Sequence, residues 1–215
     1  MTDLVDIFIE GGAQDGTAKG SSGGTVAVMK GLNDDGLRID GSVGKSFAYG
    51  AQKGILIVQG NADSRACIRL SGADVILGGE ITRKVDKISL RSPTRANIKG
   101  FACEYMTSGR VLIMGDPGPY AFSGMTGGVV YQKLTPEYGF DVNALNTRIA
   151  YGAHVEVKPL EGDDVSGVQE LLGYYIDALE HTYQYDTAES ITQLAVDDTI
   201  RSVFVKVVPE LNGAA

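Results

Sequence analysis

The stretch Gly41-Ser42-Val43-Gly44-Lys45-Ser46 ends like a phosphate-binding loop, and a nucleotide there would decide the chemistry of the whole chain. A loop of that kind needs G-x-x-x-x-G-K-[ST] between a strand and a helix, so that backbone N–H groups surround the phosphates. The required first glycine falls on Ile39. The following FAYGAQKGILIVQG is broken by Gly50 and Gly54, which a helix does not accommodate within two turns. The stretch therefore reads as a turn, with Lys45 a surface charge.

The remaining reactive residue types are sparse. Cys67 and Cys103 stand in no C-x-x-C pair, and His154 and His181 are isolated, so neither a zinc site nor a cluster is indicated. The two cysteines read as buried free thiols. Asp34-Asp35, Asp163-Asp164 and Asp197-Asp198 are neighbours whose side chains point apart on either regular element, a poor geometry for paired acid and base. No G-x-S-x-G is present to place a serine nucleophile. No catalytic, cofactor-binding or metal-binding residue is assigned. The richest stretch is Cys103-Glu104-Tyr105-Met106-Thr107. Glu104, Tyr105 and Met106 have two readings: a surface carboxylate beside a packed ring, or a contact to another subunit, where Tyr and Met are favoured.

The elements that carry these residues follow from composition and repetition. The chain has 215 residues and a net charge of −8, with Lys and Arg scattered, which argues against a nucleic-acid partner. The acidic N-terminal MTDLVDIFIEGG does not resemble a signal peptide, and no apolar run approaches the ~18 residues of a membrane span. A cytoplasmic protein is expected. Glycine is the abnormal count, 29 residues embedded among Val, Ile and Leu. It implies many tight turns between short strands.

Those glycines recur. Gly54-Ile-Leu-Ile-Val-Gln-Gly60, Gly72-Ala-Asp-Val-Ile-Leu-Gly78 and Gly109-Arg-Val-Leu-Ile-Met-Gly115 share one shape, as does Gly24-Thr-Val-Ala-Val-Met29. Tyr105-Met-Thr-Ser-Gly109 returns as Gly124-Met-Thr-Gly-Gly128. A unit of ~18–19 residues is too short for a strand-helix-strand crossover. It predicts an all-β fold, a single-stranded right-handed parallel β-helix, over an antiparallel barrel or sandwich. Gly41, Gly44, Gly60, Gly109, Gly115, Gly124 and Gly128 are its expected corner residues.

The repeats stop after His154. Val168, Leu172, Tyr175 and Leu179 follow at helical spacing behind a capping box at Ser166, predicting a helix over about 166–183. A second start lies at Asp186, with Ile191, Leu194 and Ala195 as its buried stripe, and an extended end follows at Ser202–Pro209. The expected division is a β-helix domain over 1–160 and a helical tail over 161–215 packed on it, capping or flanking the open end of the stack.

The text IKGFACEYMTSGRVLIMG followed by GPYAFSGMTGGVVY resembles the glycine-repeat, or GXGXG, domain at the C-terminus of the glutamate synthase large subunit. GSVGKSFAYGAQKGILIVQGNADSRACIRLSGADVILGG and the tail motifs His181-Thr182, Asp186–Ile191 and Phe204–Pro209 extend the likeness to about 37–209. The stretch 82–97 is shorter than the family's. The resemblance implies a non-catalytic structural subunit of a glutamate synthase-type complex that itself binds no cofactor. Its partners would be a glutamine amidotransferase subunit and an FMN-dependent synthase subunit, the latter also carrying an iron–sulfur cluster, with a homo-oligomer also open. Alternatives are the β-helix subunit of formylmethanofuran dehydrogenase or of the formyltransferase/hydrolase complex, and the glycine-repeat subunit of N-methylglutamate synthase. A free-standing sugar-active β-helix enzyme would need carboxylates stacked one repeat apart, and Asp40 and Asp63 are not so spaced.

Overall fold

A computed structural model describes residues 5–86 and 95–210. The shortened stretch 82–97 thus lies partly outside the described residues. Short apolar strands alternate with turns. β1 (Asp6–Glu10), β2 (Ser22–Met29), β5 (Lys53–Val58), β6 (Ser71–Leu77), β7 (Ser108–Ile113) and β8 (Val129–Lys133) pair side by side, all parallel. β10 (Phe204–Pro209) then pairs antiparallel with β8, and β9 (Val155–Pro159) antiparallel with β10. Among the described residues the sheet therefore has eight strands, in the order β1-β2-β5-β6-β7-β8-β10-β9. A small hairpin, β3 (Gly31–Leu32) and β4 (Arg38–Ile39), closes over Asn33-Asp-Asp-Gly36. There the Asn33 Oδ1 accepts from the N–H groups of Asp35 and Leu37.

The repeat spacing read in the sequence is the register of this sheet. Leu56, Val75, Val111 and Val130 are partners across four strands, and so are Ile57, Ile76, Leu112 and Tyr131. The first row faces one core, with Phe47, Ala66, Cys67, Cys103 and Phe122 from the turns. The second row faces a different core, built with helix α2 (Asp164–His181). Val168, Leu172, Tyr175 and Leu179 of α2 are buried there, as the periodicity predicts.

This arrangement overturns the expected all-β, single-stranded right-handed parallel β-helix. The chain is mixed α/β: a mostly parallel sheet with four α-helices among the described residues. The physical reason lies in runs such as ILIV and VLIM. A strand buried on one face alternates apolar and polar residues, whereas one covered on both faces is apolar throughout. The second cover is the helical layer. The C-terminal segment lies across the outer face of β2, β5 and β6, and its strand β10 joins the sheet.

The helix starts also differ from the sequence reading. α2 begins at Asp164, two positions before Ser166, and the Ser166 hydroxyl donates to the Asp163 carbonyl inside the first turn. The start is held by Asp164, whose carboxylate accepts the Glu161 N–H at 2.8 Å and Lys206 Nζ at 2.7 Å. α3 (Tyr185–Leu194) buries Ile191, and a further short helix, α4 (Asp197–Val203), leads into β10. A short α1 (Val142–Asn146) is capped by Asp141, which accepts the Ala144 N–H at 2.9 Å.

Candidate functional site

The turns preceding β2, β5, β6, β7 and β8 are stacked on one another in the same order as their strands. Each alternates residues with left-handed backbone: Gly16, Ala18 and Gly20; Ser46, Ala48 and Gly50; Arg65, Cys67 and Arg69; Phe101, Cys103 and Tyr105; Tyr120, Phe122 and Gly124. The alternation sends successive N–H groups to opposite neighbours. Ser46 N–H donates to Ser64 O of the next turn, Ala48 N–H to Thr17 O of the previous one, and Gly50 N–H to Ile68 O of the next. The middle column points inward, so Ala48, Cys67, Cys103 and Phe122 are fully buried. The first and third columns point out.

The outward columns form a cationic and aromatic face. The Arg65 guanidinium lies over the Phe101 ring at 5.7 Å, and that ring stacks on Tyr120 at 5.1 Å. Beside them stand Arg69 and Tyr105, the latter half exposed. Lys19 lies over the Tyr49 ring at 5.2 Å in the neighbouring column. Glu104 is 3.7 Å from Arg65 and is mostly covered, whereas Arg65 is mostly open.

The three residues singled out in the sequence thus sit at different depths. Tyr105 reaches the surface, Glu104 lies partly beneath it, and Met106 is fully buried in the core. The two halves of the C-E-Y-M-T and G-M-T-G-G text interlock. A Cβ on Gly124 would strike the Tyr105 ring, one on Gly127 the Thr107 carbonyl, and one on Gly128 the Met106 methyl. The corner glycines divide by cause. Gly41, Gly109, Gly124 and Gly128 hold positive φ. Gly44, Gly60 and Gly115 do not, and each is instead pressed against the backbone of the preceding turn or strand. At Gly44 that neighbour is Asp15, whose carboxylate accepts the Lys45 N–H at 2.7 Å. An internal anion therefore occupies the donor that a phosphate would need.

The other reactive residues have structural partners. Cys67 and Cys103 are adjacent in the inward column, and the neighbouring thiol together with burial raises the Cys67 pKa, which removes thiolate character. His181 stacks on Phe8 at 3.9 Å, and exposed His154 lies 3.4 Å from Glu210. Asp163-Asp164 and Asp197-Asp198 stand at the N-terminal ends of α2 and α4, where negative charge suits the helix dipole. Among the described residues no group of three or more His, Cys, Asp or Glu is placed to hold a metal ion. No helix of the described residues is long and apolar enough to cross a membrane.

Perturbed ionisation follows the joints of the fold. Arg110 is forked onto Asp74 at 2.6 and 2.8 Å and reaches Glu170 of α2 at 2.6 Å. This contact holds the Glu170 carboxyl low and the guanidinium proton tightly. Lys99 at 2.6 Å lowers Asp63, and Asp164 raises Lys206. Burial pushes Tyr131 up to about 12 and Tyr175 further still. At the far ends of β7 and β8, Arg148 is wholly buried and forked onto Asp116, whose carboxylate also accepts the Gly118 N–H.

The Arg65–Phe101–Tyr120 column and the Arg148–Asp116 pair are absent from the sequence reading. The column was discoverable, because its members share one phase of the repeat. The ion pair left no such mark, since Arg148 falls in a loop that follows the last repeat.

Comparison with known proteins fits this geometry. The model of the GXGXG motif family matches residues 1–86 and 95–210, and the chain belongs to that family. The glutamate synthase [NADPH] large chain of Bacillus subtilis is 28% identical over 210 residues, covering 95% of this chain and 12% of its own length. Ferredoxin-dependent glutamate synthase 2 of Arabidopsis thaliana is 32% identical over 133 residues, 61% of this chain and 7% of the relative. Glutamate synthase [NADH] of Schizosaccharomyces pombe is 25% identical over 211 residues, 95% and 8% respectively. The chain thus spans only a small part of the length of these curated relatives.

Proposed function

We propose that this chain is a non-catalytic, positioning component of a glutamate synthase-type assembly, in which the described residues up to 160 supply the stacked turns and 161–210 the covering layer. Its partners are a glutamine amidotransferase chain and an FMN-dependent synthase chain with an iron–sulfur cluster, which together form glutamate from glutamine and 2-oxoglutarate in the cytoplasm. The chain itself holds neither cofactor. The observation carrying this reading is the coverage: 95% of this chain aligns with 12% of the Bacillus large chain, the proportion of one component within a larger enzyme. The local chemistry supports it, because the residues that carry the likeness, from Cys103 to Gly128, are engaged in stacking one turn on another. The relatives' names favour this reading over the formylmethanofuran and N-methylglutamate alternatives.

The test is recovery of the tagged chain from its native host. We expect glutaminase and flavin-containing synthase chains in the eluate, glutamine-dependent reduction of 2-oxoglutarate by the complex, and neither flavin absorbance nor glutaminase activity in the chain alone. Recovery of neither partner, or glutaminase activity in the isolated chain, overturns the reading.

A further inference from the structure

We infer that the outer face of the stacked turns, centred on Arg65, Phe101 and Tyr120 with Arg69 and Tyr105, is a docking surface for a protein partner that presents a carboxylate-rich patch. The inference rests on the reading above only in requiring a protein partner.

The first observation is backbone conformation. Arg65, Arg69, Phe101, Tyr105 and Tyr120 all hold φ between +54° and +66°. L-residues with a Cβ are disfavoured there, while glycine is not. The fold does not demand side chains at these places. Gly16 fills the first column in the first turn, and Gly50 and Gly124 fill the third column where Arg69 and Tyr105 stand in other turns. Strained positions occupied by large residues that the fold could replace with glycine point to a role for the side chains themselves.

The second observation is the type of side chain. Arg and Tyr are enriched at protein interfaces, and the guanidinium–Phe–Tyr stack is already formed within the chain itself. Little rotamer freedom remains to be lost on binding.

The third is charge. Positions 161–200 contain ten Asp or Glu and no Lys or Arg, so the helical layer is strongly negative while the rest of the chain carries a slight positive excess. On the turn face Lys19, Lys45, Arg65 and Arg69 are all exposed, against one exposed carboxylate, Asp15, and the partly covered Asp63 and Glu104, so the face keeps a cationic excess. An acidic partner is attracted to the turns and repelled by the helices on the other side of the sheet, which fixes the side on which it docks.

The experiment compares the tagged chain with three variants in the same recovery from the native host. Arg65→Glu/Arg69→Glu and Tyr120→Ser are expected to lower recovered partner at least ten-fold. Asp177→Lys/Glu180→Lys, on the exposed side of α2, is expected to recover as much as wild type. Raising salt from 0.05 to 0.5 M is expected to release partner from wild type. Thermal melting of each variant separates lost docking from lost fold. Partner retained by both turn-face variants, loss only in the α2 variant, self-association in place of a partner, or nucleic acid recovered on the turn face overturns the inference alone. A wild-type chain that recovers no protein overturns both this inference and the functional reading.

Discussion

Gly60→Ala tests whether the glycines of the repeat serve backbone shape or close approach. Gly60 lies outside the left-handed region, and its N–H donates to Gly41 O at 2.8 Å. A Cβ there would lie 2.7 Å from Asp40 O and 2.8 Å from the Gly41 carbonyl carbon. Both are backbone atoms, so the two levels of the stack must part by roughly half an ångström or more to reach ordinary contact at ~3.5 Å. Overpacking of this kind costs about 1–3 kcal/mol, and stretching the Gly41 bond adds about 1 kcal/mol. Alanine's stiffer unfolded chain returns about 0.4–1 kcal/mol, leaving a net loss of about 1–3.6 kcal/mol, centred at about 2–3 kcal/mol. Gly50→Ala is the control, with φ +60° and nothing within 4 Å of its Cβ. Its left-handed cost of about 1–2 kcal/mol, less the same return, leaves about 1 kcal/mol. In thermal melting, at about 2–4 °C per kcal/mol for a chain of this size, Gly60→Ala falls about 4–12 °C and Gly50→Ala about 2–4 °C. Equal losses, or a larger loss for Gly50→Ala, would refute the assignment of Gly60 to close approach.

The two thiols are expected to ignore an aromatic disulfide reagent in the native protein and to react fully in guanidinium, because Cys67 and Cys103 are buried and the Cys67 thiolate is disfavoured. Above pH ~10 the unfolded chain releases phenolic protons that folded Tyr131 keeps to about 12, so stability falls as pH rises through that interval. At the acid end Asp63 and Glu170 sit below their ordinary values of 3.8 and 4.5, so their contribution is present at neutral pH and is lost as pH falls through the folded values; denaturation curves against pH, with Lys99→Met lifting Asp63 in an NMR titration, check both ends. Arg148→Met leaves the Asp116 carboxylate buried and uncompensated, and is expected to cost about 3–5 kcal/mol by urea denaturation. Tyr120→Gly removes the ring yet relieves φ +62°, so relief of about 1–2 kcal/mol is offset by lost stacking and chain entropy of similar size. Its melting temperature should stay near wild type while partner recovery collapses.

What the sequence conveyed was the repeat itself. Gly54, Gly72 and Gly109 mark strands whose register partners fall one or two repeats apart, and the apolar stripe of α2 was legible from Val168 to Leu179. What it hid was the second face. In ILIV and DVIL alternate residues enter different cores, yet all are aliphatic apart from the leading Asp74, so no alternation betrays the helical cover. The turn face is marked more faintly. Arg65, Phe101 and Tyr120 share one phase of the repeat but no chemistry as residue types, and the ladder of turn hydrogen bonds is what makes that phase a physical column. Ser166 misled because capping-box spacing is short and common, and Asp164 with Lys206, far apart in sequence, made the better anchor.

The two layers answer different physical demands, which explains why their residues look so unlike. The outer face of the sheet is covered by helices joined through Arg110, with Asp74 on one side and Glu170 on the other, so that cover is a permanent part of the fold. On the turn side the inward column already closes the core with Ala48, Cys67, Cys103 and Phe122, and nothing further is needed for burial. The outward columns are therefore free of the core's constraints, and glycine would serve them most cheaply. In the first turn it does. In the last three turns, Arg65, Phe101, Arg69, Tyr105 and Tyr120 stand there instead, against the backbone's preference. A departure of that kind, repeated at five positions on one continuous face, is the mark of a surface shaped by what it meets rather than by the fold beneath it.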